Sequence, residues 1–209
     1  MTDSDRLRPR KLPRQTRSRN TVEAILAATS RVLVDEGYDS ASTNRIAEVA
    51  GVSVGSLYQY FPNKQSLVVA LLETHHQAMI GVLDEACIFE RKASPAARLD
   101  VNARAYVEAV FAAHRVDPAL HRILASHTRV LHDGATTAFE QRAEEHAFAL
   151  VDGTSSSRGQ ADPRLISHMV RMTVQASAES SSTAKGTPLE QKALRNEVAR
   201  LLVRYLEPK

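Results

Sequence analysis

Residues 43–64 read Thr-Asn-Arg-Ile-Ala-Glu-Val-Ala-Gly-Val-Ser-Val-Gly-Ser-Leu-Tyr-Gln-Tyr-Phe-Pro-Asn-Lys. Two short helices around a tight turn account for this string. Ser42 or Thr43 can cap the first helix, because a hydroxyl accepts a hydrogen bond from a free first-turn N–H. Ile46, Ala47 and Ala50 recur at helical spacing and should face a core. Gly51 supplies the left-handed residue that ends a helix without steric cost. Ser53 caps a second helix, which ends by Pro62 because proline cannot continue it. Leu57 and Phe61, four apart, point inward, and Tyr58 and Tyr60 are left facing elsewhere.

That placement of the tyrosines bears on function. The chain has only five Tyr and five Phe, so two phenols on the outside of one short helix are a large share of its aromatic area. A phenol hydrogen-bonds to phosphate and packs on a sugar or a thymine methyl. With small Gly55 and Ser56 at its start, the second helix can push its N-terminus deep into a major groove.

The block from Ala50 to Lys64 resembles the recognition segment of the TetR family of one-component transcriptional regulators. The segment from Ala24 through Glu36, Gly37 and Tyr38 resembles that family's first helix and the turn after it. The match covers roughly residues 20 to 70; beyond it the resemblance is one of layout. It implies an all-α protein: an N-terminal three-helix helix-turn-helix DNA-binding domain, then a C-terminal helical ligand-binding and dimerisation domain. The expected boundaries are a flexible basic arm over 1–18, the DNA-binding domain over 19–65 and the second domain over 66–209. By the same resemblance, Thr43 bonds a phosphate, Arg45 lies near backbone or a base edge, and Val54, Gly55 and Ser56 face the groove. Tyr58 and Tyr60 contact phosphate or thymine methyls, and Lys64 pairs with a phosphate. Asn44 departs from the pattern, standing where many relatives carry a longer polar or basic side chain.

Charge is unevenly placed. Residues 1–20 hold seven basic side chains against two acidic ones, a net +5, which leaves −2 for the rest of a chain that totals +3. Within residues 21–65 the acids Glu23, Asp35, Glu36, Asp39 and Glu48 outnumber the bases Arg31, Arg45 and Lys64, so non-specific affinity for DNA should be modest. Cys87 is the one cysteine; no intrachain disulfide can form, and a buried, inert thiol in a reducing cytoplasm is expected. No apolar run long enough to span a membrane is read, and the basic N-terminus lacks the apolar core of a secretory signal.

The remaining sequence reads as further helices, about nine in all, with no strand pattern. Residues 19–36 form the first, with Val22, Ile25, Leu26, Thr29, Val32 and Leu33 as its stripe, Asn20 and Glu23 as its start signature, and Gly37 as its stop. Asn63 opens a long helix to about Phe89, roughly 40 Å at 1.5 Å per residue. Ser94-Pro95, Asp117-Pro118 and Asp162-Pro163 repeat one start signal, and Thr187-Pro188-Leu189-Glu190 is a capping box with proline at the first position. The last helix shows Leu194, Val198, Leu201 and Tyr205 at four-three-four spacing. With the small residues Ala176, Ser177, Ala178 and Ser180 before it, this suits a homodimer contact through the last two helices.

The middle helices should enclose a cavity for an unknown small-molecule effector, apolar or amphipathic. Candidates to line it are Tyr106, Val110, Phe111, His114, Leu124, Phe139, His146, Met169 and Met172. No cofactor or metal is expected. His121, His127 and His132 are spaced six and five apart, which puts the outer two about 16 Å apart along one helix, too far to share an ion. Catalysis is not expected either: Gly51-Val-Ser-Val-Gly55 matches a nucleophile elbow in letters only, its flanks being helical where that elbow needs a strand. The reading is a dimeric repressor of a palindromic operator on double-stranded DNA, released when an effector tilts the Asn63–Phe89 helix. A helical module that binds a protein partner, or a regulator that activates or takes no ligand, fits the same sequence.

Overall fold

The computed structural model describes residues 16–89, 94–131, 137–152, 162–183 and 187–207. Among these residues there are nine helices and no strand. They are α1 (Thr16–Ser40), α2 (Thr43–Ala50), α3 (Val54–Tyr60), α4 (Lys64–Ala86), α5 (Pro95–Ala113), α6 (Pro118–Leu131), α7 (Ala138–Asp152), α8 (Pro163–Thr183) and α9 (Pro188–Leu206). The arm before residue 16, the turn at Asp133-Gly134, His132 and most of the Gly/Ser-rich segment after Asp152 lie outside the described residues.

Local chemistry sets the helix ends. Ser42 caps α2 by accepting from the Arg45 amide at 3.2 Å. Gly51 ends α2 at φ 67, and its amide donates to the Glu48 carbonyl at 3.1 Å. Ser53 accepts from the Ser56 amide at 3.0 Å to start α3. Asn63 caps α4, its Oδ1 accepting from the Ser66 amide at 2.8 Å. Thr187 and Glu190 form the expected reciprocal capping box on α9. Thr137 and Glu140 form a second one on α7, with the Thr137 amide donating to Glu140 at 2.7 Å. Two starts differ from expectation. The first helix begins at Thr16, ahead of Asn20, and its regular run stops at Gly37, φ 80 and ψ 165, as expected, with a further kinked turn to Ser40. Ser94 occupies the cap position of α5 but makes no side-chain cap bond.

The chain divides into two compact units. The first holds α1–α3, α4 as far as His75, and α6 from Ala119. The second holds the remainder of α4 with α5, α7, α8 and α9. The expected break at residue 65 is thus displaced, because Leu67, Val68, Leu71 and Leu72 of α4 bury against α1–α3, and Leu120 and Leu124 of α6 join the same core. Leu124 is therefore part of the first unit's core, whereas Tyr106 and Phe139 belong to the core of the second. Contacts between residues far apart in sequence decided its place, and helical periodicity carries no signal of those.

In the first unit Ile25, Leu33, Ile46, Leu57 and Leu67 are fully buried. Each such side chain contributes about 1.5–3 kcal/mol by leaving water. Buried Thr29 is satisfied by donating to the Ile25 carbonyl at 2.7 Å. In the second unit, α9 buries Val198, Ala199, Leu202 and Leu206, while α8 buries Ile166, Val170, Val174 and Ala178. Between α7 and α8, Arg171 donates through Nε to Glu144 at 2.7 Å, and Ser167 donates to the same carboxylate at 2.8 Å.

Helix α4 is long and apolar enough, by length and composition, to cross a membrane, contrary to the sequence expectation. Half of that window is buried inside the protein, and Leu67, Leu71, Met79 and Leu83 account for its apolar character as core.

Cys87, just past α4, is buried. Burial, and secondarily the Asp84 charge, pushes its thiol up to about 12 from an ordinary 9.0. Native labelling by a thiol reagent at pH 8 should therefore be limited by unfolding. A raised acid resists ionisation in the fold, so its stabilising share is present below pH 9 and lost as pH rises from about 9 toward 12. Chemical denaturation of wild type and Cys87→Ala across that range measures it.

Candidate functional site

Helices α2 and α3 and the head of α4 present one face of the first unit. Leu57 and Phe61 anchor α3 from below, at 0% and 1% exposure. Val54 at 38% and Tyr58 at 41% are left outside on the same helix. Gly55 and Gln59 are also exposed, whereas Ser56 and Tyr60 are half-buried. Tyr60 packs against the core, so it is less an outward phenol than its sequence position suggests.

The polar groups on this face are held by each other. The Thr43 and Tyr58 hydroxyls share a hydrogen bond at 2.9 Å, tying the start of α2 to the middle of α3. Ser53 and Ser56 share one at 2.7 Å. Arg45 donates through Nε to Glu36 at 2.8 Å and pairs through Nη1 with Glu48 at 3.1 Å. Lys64 donates to the Tyr38 carbonyl at 2.8 Å, and its ammonium lies 4.3 Å from the centre of the Tyr38 ring. Tyr38 in turn stacks on His127 of α6 at 4.1 Å. Arg45, expected near backbone or a base edge, and Lys64, expected at a phosphate, are thus both held by protein partners.

The two glycines of this turn differ. Gly51 stands at φ 67, where a side chain is strained. Gly55 has an ordinary φ, and an added Cβ meets only Ser53 Oγ at 3.9 Å. Gly51→Ala should cost about 1 kcal/mol or more in a denaturant melt. Gly55→Ala should leave the melt unchanged or slightly improved. If Gly55 approaches DNA closely, that substitution will show instead as weaker DNA binding in an anisotropy titration.

The ligand candidates do not come together as a set. Tyr106, Val110, Phe111, His114 and Phe139 are buried together in the second unit. The Tyr106 hydroxyl donates to the Ala143 carbonyl at 3.1 Å, and burial holds its phenol far above the ordinary range. His114 Nδ1 donates to the Val110 carbonyl at 2.8 Å, with the ring edge-on to Phe139 at 5.3 Å. His146 lies at the rim, its Nε2 2.7 Å from an Asp84 oxygen that also accepts from Arg142. Met169 and Met172 face outward at 47% and 54% exposure and do not line an interior. The inward positions of α8 are taken by Ile166, Val170 and Val174. Among the described residues no group of three or more His, Cys, Asp or Glu is placed to hold a metal.

The family model for bacterial regulatory proteins of the TetR family matches residues 25–71, and the tetracyclin repressor-like C-terminal domain matches residues 99–206. The chain belongs to the TetR family. The nucleoid occlusion factor SlmA of Actinobacillus pleuropneumoniae is 29% identical over 123 residues, 59% of this chain and 58% of that protein. The HTH-type regulator YvkB of Bacillus subtilis is 40% identical over 67 residues, 32% of this chain and 35% of that protein. The transcriptional regulator AcuR of Cereibacter sphaeroides is 34% identical over 105 residues, 47% of each chain. The chain thus spans no more than 58% of the length of these curated relatives. A TetR-family regulator from Pectobacterium atrosepticum shares the fold with a TM-score of 0.62 at 21% identity, covering 93% of this chain and all of that one. One from Mesorhizobium loti does so with a TM-score of 0.63 at 18% identity, covering 91% and 98%. The fold is that of the TetR family, with an N-terminal helix-turn-helix domain to which α2 and α3 belong. Sequence reasoning passed over Gln59, an exposed amide on α3, and Tyr38, which seats Lys64. The polar letter between two tyrosines was the available signal for the first; nothing local marks the second.

Proposed function

We propose that the protein is a homodimeric repressor that binds a palindromic operator and is released by a small apolar or amphipathic effector. The observation that carries this reading is a second apolar face on the last two helices. Leu165, Met169 and Met172 of α8 and Leu194, Leu201 and Tyr205 of α9 are all exposed, though each helix already buries a different apolar stripe. A groove of about 580 Å³ between them is lined by Leu201, Tyr205, Val198, Thr173 and Ser177 together with the charged Glu197, Arg200 and Arg204. Small Ala176 and Ser180 lie exposed along the same helix and allow close approach of another backbone. A second copy, related by a two-fold axis, covers this face and spaces two α3 helices for successive major grooves. Leu194, Leu201 and Tyr205 of the sequence stripe thus serve assembly, and Val198 the subunit's own core.

The DNA contacts follow the exposed face of α2 and α3: Val54, Gly55 and Tyr58 toward the groove, Thr43 and Lys64 toward phosphate, Arg45 after release from Glu36 or Glu48. Such a protein acts where the chromosome is, in the cytoplasm. Operator affinity measured by fluorescence anisotropy should fall linearly on a log–log plot against salt, by about 0.9 in slope for each phosphate contacted. A chain lacking residues 1–15 should show a shallower slope if the basic arm follows the backbone. Affinity independent of salt would remove DNA from the proposal and favour a protein partner for this face.

A further inference from the structure

The turn between α5 and α6 builds a smaller pocket, wholly within the second unit. Its volume is about 170 Å³. Its lining combines the apolar Phe111, Pro118 and Ala178 with the polar Arg115, Ser181, Ser182 and Gln191, and with His114. His114 is 1% exposed, and its Nδ1 hydrogen is committed to the Val110 carbonyl at 2.8 Å. Its Nε2 lies 4.0 Å from Glu179, which is outside the lining. The Glu179 carboxylate accepts from Gln175 at 3.0 Å.

We propose that this pocket binds a short-chain monocarboxylate of three or four carbons. The inference rests on the effector reading above and names the effector's chemistry. Size comes first. Pockets for drug-sized ligands run from about 300 to 1,000 Å³. At about 170 Å³ this one falls below that range and suits a ligand of only a few heavy atoms. Charge comes second. Arg115 is the permanent charge of the lining, and its planar fork suits a carboxylate, with the Ser181 hydroxyl and the Gln191 amide as further donors. Shape comes third. Phe111, Pro118 and Ala178 offer an apolar wall to a short alkyl tail, which inorganic phosphate lacks.

The pocket also has a place from which to act. Its lining includes His114, Arg115 and Pro118, and the chain passes from the second unit to the first directly after Pro118. Asp117, just before Pro118, sits at φ 45. Asp is one of the few residues besides Gly that adopts left-handed backbone, although the position before proline favours an extended one. A ligand packed on Pro118 and Arg115 therefore touches residues on both sides of that turn.

Calorimetric titration of the full chain with sodium butyrate tests the site, with butan-1-ol, butylammonium and inorganic phosphate as comparisons. Butyrate should bind and raise the melting temperature, and the three comparisons should bind at least ten-fold more weakly. Arg115→Gln should weaken butyrate by about ten- to hundred-fold, the loss of a charge-assisted pair. Ser181→Leu, which fills the pocket from a half-buried position, should abolish binding. Arg115 is exposed, so the Gln variant should melt with wild type and decides the matter even if Ser181→Leu is unstable. No butyrate binding at millimolar concentration, equal binding of butan-1-ol, or full affinity in Arg115→Gln would each overturn the inference. Operator binding by the ligand-free protein is read separately. If it persists while butyrate fails, only the effector chemistry falls; if it is absent, the regulator reading falls with butyrate binding still on its own evidence.

Discussion

Replacing both Leu201 and Tyr205 with glutamate is expected to yield a folded monomer whose affinity for a palindromic operator is on the order of 10²–10⁴-fold below wild type. Both side chains are exposed, at 55% and 47%, so the single subunit loses little by their removal. In the proposed dimer the same positions would lie in the contact across a two-fold axis, and four carboxylates would be brought together in an apolar surface. Like charges there cost several kcal/mol. Once the subunits separate, each recognition helix binds a half-site alone and the gain from tethering the second is lost. Sedimentation should give one species at monomer mass, with helical content and melting point close to wild type. A double variant that remains dimeric, or that binds the operator undiminished, would place the subunit contact elsewhere.

The second large effect concerns the core under the recognition helix. Leu57→Ala should destabilise the first unit by about 2–5 kcal/mol. Leu57 is fully buried among Ile46, Phe61 and Leu67, and truncation leaves a cavity those side chains fill only in part. Natural domains hold only about 5–15 kcal/mol in total, so a large share of the margin disappears. DNA binding should fall with the folded fraction, recovering at low temperature or when operator DNA is in excess. Val54→Ala, on the exposed side of the same short helix, should change stability by no more than about 0.5 kcal/mol. Its effect should appear in DNA affinity alone. The contrast separates holding the helix from using it, and denaturant melts beside anisotropy titrations measure both.

How much of this was legible beforehand depended on the range of the forces involved. The α2–turn–α3 unit was readable because its determinants are local: Ser42 and Ser53 cap within three residues, Gly51 turns the chain where it stands, and Asn63 starts α4. The family match over residues 25–71 and 99–206 agrees with the resemblance read from Ala50 to Lys64. What periodicity does not report is which of two apolar stripes on a helix turns inward. On α9, Leu194, Leu201 and Tyr205 formed the visible pattern, yet Ala199, Leu202 and Leu206 fill the interior beside Val198. On α8, Met169 and Met172 were assigned to a cavity for their chemistry, and the packing of Ile166, Val170 and Val174 excludes them from it. Leu124 was misplaced for a different reason, since α6 joins a unit whose other members lie far earlier in the chain. The seating of Lys64 on Tyr38, 26 residues away, and of Arg45 against Glu36 is likewise tertiary information. Those two contacts also temper the electrostatics: cations that a residue count treats as free are already neutralised or oriented.

The central claim is that two recognition helices act together at a fixed spacing. Selection of bound sequences from random duplex DNA by the purified protein tests it most directly. The account predicts enrichment of an inverted repeat whose half-site centres lie about one helical turn, or a multiple of one, apart. Enrichment of a single asymmetric element, or no enrichment above input at low salt, would contradict it.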